Sequence, residues 1–304
     1  MRRTKTIINT LNKLVLLLVL SGSSWVCRAQ FIIVPIERSE LWSKEVVNAR
    51  QQSLTAMPLP FWDDFSFSQT PFYPNDTLWE NSNSVILSDG LGINLPSHKV
   101  GSFDGLDSVG RPYNVNDILA KGFADKLISR PLRLDLVDPS ERTGVYLSFY
   151  FQYRGNGEPP DPGDQLILSF KGSDGVWYTV ETYEDDESYM SDVFYQQVVQ
   201  VSGDIYFHDD FQFRFQNKGR ISGPYDTWNI DYIYLNKGRT LSDTSYPDRT
   251  ISSSLTSPFS GYWAIPVRHY FVNPGAQVGT PSFEIYNLRV GNNQPLNYFS
   301  YSEI

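Results

Sequence analysis

Three histidines and one cysteine are the whole stock of imidazoles and thiols in this chain of 304 residues. His98, His208 and His269 stand far apart, without the close spacing that metal ligation favours. No Gly-x-Ser-x-Gly elbow and no phosphate-cradling glycine loop occurs. Carboxylates, by contrast, are plentiful, and two motifs place them where chemistry is conceivable. Phe61-Trp62-Asp63-Asp64-Phe65-Ser66 comes early, and Tyr225-Asp226-Thr227-Trp228-Asn229-Ile230-Asp231-Tyr232-Ile233 comes late. Asp231 sits among apolar residues of a strand, where an unpaired carboxylate is costly. Either Arg214 or backbone N–H groups compensate it, or a hard cation does. The second reading gathers Asp63, Asp64, Asp226 and Asp231 around Ca²⁺, because neither motif contains histidine or cysteine. A glycosidase needs two carboxylates flanking its bond, and no Glu-x-Asp-x-Glu strand is present. The acid run Glu184–Glu187 reads as a solvated loop tip. Aromatic rings are the other binding chemistry. Trp79, in the polar stretch Asn75–Asn81, is the candidate for stacking on sugar, whereas Trp177 and Trp228 lie within strands and read as core.

Strands must position these groups. Tyr, Phe and Trp number 19, 19 and 7, a composition that suits pleated, half-buried surfaces. Val145–Tyr153 alternates Val, Leu, Phe, Phe and Tyr with polar residues, which predicts an interior strand with Leu147, Phe149 and Phe151 inward. Leu166–Phe170, Val176–Tyr183, Val193–Val201, Phe211–Phe215 and Trp228–Leu235 continue the pattern at the spacing of an antiparallel sandwich. Gly155–Asp164, rich in Gly, Pro and Asp, reads as an exposed loop, and Ser173-Asp174-Gly175 as a hairpin turn. The first and last strands of such sandwiches are often neighbours, which would bring the two acid motifs together.

The ends of the chain organise differently. A basic front, the apolar run Leu14–Leu20 and small residues before Gln30 read as a signal peptide over residues 1–29, with cleavage after Ala29. Residues 30–57 read as an arm or linker, 58–238 as the sandwich, and 239–258 as a second linker. Residues 259–304 read as a partial β-rich segment, with Tyr262–Val272 and Ser282–Val290 as strands, opening a further domain. Export predicts a secreted or cell-surface protein, the periplasm included, with no transmembrane segment after cleavage. Losing the leader removes five bases and the lone Cys27, which leaves 20 bases against 34 acids and no disulfide. That balance disfavours nucleic acid and anionic lipid as partners and is compatible with divalent cations.

Taken in order, Asp63-Asp64-Phe65, Phe103-Asp104-Gly105-Leu106-Asp107, Leu127–Leu132, Leu147–Gln152, Phe213–Asn217 and Asp226-x-Trp228-x-Ile230-Asp231-Tyr232-Ile233 resemble a MAM-like, concanavalin-like jelly-roll module. Such modules occur in secreted and surface proteins of Bacteroidota, many sorted by type IX secretion. The resemblance covers Pro58–Asn236 and implies an all-β antiparallel jelly roll, structural calcium, and adhesion through glycan or cell-surface protein. Two departures stand out: the chain lacks the disulfides of animal MAM domains, and Tyr262–Ile304 is short for a type IX sorting domain. The leading reading is a non-catalytic, calcium-stabilised binding module. A glycoside hydrolase or lyase on the same sandwich, and a structural subunit of an envelope secretion or gliding machine, are the alternatives.

Overall fold

Alternation of large apolar and polar side chains does build two facing sheets. The computed structural model describes residues 56–66, 68, 71–80, 84–246, 248–251 and 255–287. The leader at 1–29 and most of the arm at 30–57 lie outside these residues. Ten strands form an all-β antiparallel jelly-roll sandwich: β1 (Phe61–Asp63), β2 (Ile86–Ser88), β3 (Val100–Phe103), β4 (Lys121–Ile128), β5 (Tyr146–Tyr153), β6 (Gln165–Lys171), β7 (Trp177–Glu184), β8 (Tyr195–Gln200), β9 (Phe213–Arg220) and β10 (Trp228–Asn236). One sheet runs β2-β3-β10-β5-β8, with β1 also paired to β10, and the other runs β4-β9-β6-β7.

The inward residues of both sheets meet in one core. Leu147, Phe149 and Phe151 of β5, Leu166, Leu168 and Phe170 of β6, and Phe213 and Phe215 of β9 are fully buried there. β5 lies between β10 and β8, as its two-residue period predicts. Phe149 meets Phe215 edge-on across the gap at 4.7 Å. The first and last strands are indeed neighbours, Phe61–Asp63 pairing with Leu235–Ile233.

Bulges correct the alternation where it fails. The register of β10 against β5 shifts between Asp231 and Tyr234, with Tyr232 at φ 52°. Ile230 and Ile233 therefore both face the core, although they are three residues apart. β4 shifts likewise against β9 between Phe123 and Lys126. This bulge, and the brevity of β2 and β3, hide these strands from a periodicity reading.

The segment read as a linker is part of the sandwich in its first half. Arg239 reaches back to the carbonyls of Tyr146 and Tyr234, and its guanidinium lies 4.4 Å over the Tyr234 ring. Tyr246 is 1% exposed, packed among Trp62, Tyr150, Tyr232 and Tyr234 on the outer face of the six-stranded sheet. Beyond it, β11 (Arg249–Ile251) pairs with β12 (Ile285–Asn287). The stretch Tyr262–Val272, read as a strand, instead ends in a short helix, α1 (Val267–Val272), followed by α2 (Pro274–Gln277). A short apolar run carries no period that separates the two states. Among the described residues, no helix is long and apolar enough to cross a membrane.

Candidate functional site

Trp79 is not a surface platform. It is fully buried, its indole N–H donating to Asp63 Oδ2 at 2.6 Å, with Phe61 and Phe213 edge-on to it at 5.2 and 5.7 Å. β1 turns Asp63 inward, and its Oδ1 accepts from the Phe65 N–H at 2.8 Å. Burial pushes this carboxyl up to about 7 against the pull of those two donors. The polar neighbours of Trp79 suggested exposure; the deciding factor is a carboxylate in the core that needs a donor without bringing water.

The four aspartates read as one metal site are divided between places. Asp64 binds the Ser66 N–H and hydroxyl. Asp231 is fully buried and takes the N–H of Ser97 at 3.0 Å and of Tyr232 at 2.7 Å. Backbone donors are thus its compensation, not Arg214. Burial holds the Asp231 carboxyl well above its ordinary value, with the nearby Asp64 charge adding to the effect. Each oxygen of Asp63 and of Asp231 accepts a hydrogen bond, and among the described residues the cluster of three acids close enough to share one cation does not include Asp63, Asp64 or Asp231.

Asp226 belongs elsewhere. It stands at φ 58° in the β9–β10 turn, and its Oδ2 accepts from the Arg220 N–H. With Asp161 and Asp164 it forms a group whose carboxylate oxygens lie within 4.8 Å of one another. Glu158 accepts the Asp226 N–H at 3.0 Å. The Gly-Pro-Asp stretch read as a free loop is therefore folded against the β9–β10 turn, with Asp164 only 2% exposed. Lys121 binds both oxygens of Asp164 at 2.9 Å, and Arg220 reaches Asp161 at 3.1 Å. Two cations thus face four acids. Asp226 is 1% exposed, and its Oδ1 has no hydrogen-bond partner among the described residues. Burial raises its carboxyl, and Asp164 and Glu158 raise it further.

The outer face of the four-stranded sheet is the other candidate. The register of β9 fixes its rows: Arg214 beside Ile128 and Ser169, Gln216 beside Lys126 and Ile167, Lys218 beside Phe123 and Gln165, Arg220 beside Lys121. β7 extends the first three rows with Thr179, Thr182 and Glu184. Lys218, Lys126, Thr179 and Thr182 are exposed, and Phe123 is 61% exposed. Trp177, read as core, sits at the start of β7 on this face, partly exposed, with the Arg214 guanidinium 4.7 Å from its ring centroid. Burial pulls the Arg214 guanidinium below its ordinary value, and its Nε has no partner. The pattern Phe213-Arg214-Phe215 carried the signal for Arg214, since it puts the cation opposite two core rings.

No protein-family profile and no curated protein matches this chain. Among solved structures, it is similar to an arabinose-bound α-L-arabinofuranosidase of glycoside hydrolase family 51, at 9% identity and a TM-score of 0.33 over 62% of this chain. That match spans 27% of the arabinofuranosidase. A non-crystalline-cellulose-specific module of carbohydrate-binding family 28 matches at 14% identity and a TM-score of 0.30, covering 58% of this chain and 87% of the module. A xylan-binding family 22 module from Paenibacillus barcinonensis matches at 10% and 0.23, covering 50% and 99%. Similarity at these levels transfers no site residue.

Proposed function

We propose that this chain is an exported, non-catalytic β-sandwich module that binds glycan on the outer face of its four-stranded sheet. One observation carries the reading: the partly exposed indole of Trp177 is braced by the Arg214 guanidinium, 4.7 Å from its ring centroid, on the outer face of the sheet. An aromatic ring fixed in place stacks on a sugar's apolar face with little ordering cost, and the Thr, Gln and Lys side chains around it supply hydroxyl partners. Export and a surface location follow the leader-like N-terminus, and the resemblance to the jelly-roll modules of Bacteroidota surface proteins points the same way. Calcium enters this reading at the loop, where Asp161, Asp164 and Asp226 offer the oxygen-only donor set of a hard cation. A bound ion would supply the positive charge that the orphan Asp226 Oδ1 lacks, in competition with Lys121.

Trp177→Ala tests the binding face. In affinity electrophoresis through soluble polysaccharides, the variant should lose about tenfold in affinity for whichever glycan retards the wild type, with its melting temperature unchanged. Equal retardation of the two proteins removes Trp177 from the site. Release of reducing sugar from the same polysaccharides would revive the hydrolase alternative.

A further inference from the structure

Cations are distributed unevenly between the two sheets. The strands of the six-stranded sheet contain neither lysine nor arginine. Those of the four-stranded sheet contain Lys121, Lys126, Lys171, Arg214, Lys218 and Arg220. Lys121, Lys171 and Arg220 are paired with Asp164, Asp210 and Asp161 at the margins. Across the middle rows, among the described residues, no carboxylate lies within ion-pair distance of Arg214 or Lys218. In a protein with a net charge of −9, unpaired cations on one sheet face need an explanation. Arg214 is the sharper case: it is partly desolvated, carries an unsatisfied Nε, and is stacked on the very ring assigned to sugar.

Resting on the glycan reading above, we infer that this face selects anionic polysaccharides, with Arg214 and Lys218 pairing to the acidic groups of a chain whose sugar ring stacks on Trp177. The two cations lie four residues apart on the same side of β9, about 13 Å along the strand. That separation spaces two charge contacts along an extended polymer rather than clustering them on one small anion. A planar guanidinium beside the stacking ring pairs in two-pronged fashion with a carboxylate or sulfate, which an ammonium does not reproduce. Exposed Phe123, next to Lys218, adds a second ring to this face at the far end of the sheet from Trp177. Charge complementarity thus names the ligand's chemistry, and the acidity of the remaining surface opposes large polyanions that would wrap beyond the face.

The test compares polygalacturonate and alginate, which carry carboxylates, chondroitin sulfate, which carries sulfate as well, neutral xylan and laminarin, and single-stranded DNA. Wild-type protein should bind at least one acidic polysaccharide about tenfold more tightly than the neutral ones, and raising NaCl from about 50 to about 500 mM should erase the advantage. Arg214→Ala should abolish the preference. Lys218→Gln, at an exposed position, should weaken acidic binding several-fold and neutral binding far less, with the melting temperature read alongside. The carboxylate and sulfate arms then tell which acidic group is read. Equal, salt-insensitive binding of neutral and acidic glycans overturns this inference while leaving the glycan reading in place. Binding of no glycan overturns both. Tighter binding of DNA than of any acidic glycan also overturns the inference.

Discussion

Single residues here are decided by where their polar atoms find partners. Asp63 points into the core because β1 alternates, and its carboxylate there takes the buried indole N–H of Trp79 at 2.6 Å beside the Phe65 N–H at 2.8 Å. Trp79→Phe keeps most of the ring packing but strips that donor, leaving a buried acceptor short of a partner. The expected cost is about 1–3 kcal/mol, read from the midpoint of urea denaturation at constant m-value. A loss below about 0.5 kcal/mol would mean that water reaches Asp63 and that the pocket is not sealed. The same logic explains Asp231, whose two oxygens take backbone N–H groups from Ser97 and Tyr232.

At the scale of elements, the instructive segment is the strap after β10. Its composition, rich in Ser, Thr, Asp and Pro, is that of a linker, yet Arg239 and Tyr246 pin it to the outer face of the six-stranded sheet. Four aromatic rings lie within 6.2 Å of the Tyr246 ring. Tyr246→Ala should therefore cost about 3 kcal/mol and open the strap to protease, with cleavage between Thr240 and Asp248 appearing before global unfolding. Wild-type and variant digestion patterns that coincide would restore the linker reading. The bulge in β10 makes a related point. Strict alternation from Trp228 would have put Ile233 and Leu235 outside, and one extra residue at φ 52° brings both into the core.

For the whole molecule, buried acids set the response to pH. Burial raises Asp63 to about 7 and Asp125 to about 8, and raises Asp226 and Asp231 as well. Each holds its proton in the folded state across a range in which the unfolded chain, titrating near 3.8, has released it. Their contribution to stability is thus fully present below about pH 4 and is lost as pH climbs toward about 8. In EDTA the melting temperature should fall over that interval. Calcium bound as proposed would compete with the proton for Asp226, so the stabilisation it confers should grow from pH 5 to pH 8 and vanish in Asp226→Asn. Identical melting curves in EDTA and calcium at pH 8 would dismiss the ion. A melting temperature that rises steadily with pH in EDTA would dismiss the buried protons.

Much of this architecture is local and therefore readable in the chain. Alternation in Tyr146–Tyr153, Gln165–Lys171 and Phe213–Arg220 states which side of each strand is apolar, and burying those sides against each other is the only way to keep so many rings from water. The pairing of the first and last strands follows from the same antiparallel logic. What one-dimensional patterns do not carry is the identity of a side chain's partner across a long loop. Trp79 finds Asp63, Asp226 finds Asp161 and Asp164, and Arg214 finds Trp177 only once sheet register and loop packing have fixed the distances. Asp226 and Asp231 are five residues apart, yet they end in different sites. A turn and a strand place their carboxylates in separate surroundings, and a carboxylate's chemistry depends on desolvation and nearby charge over a few ångströms in space.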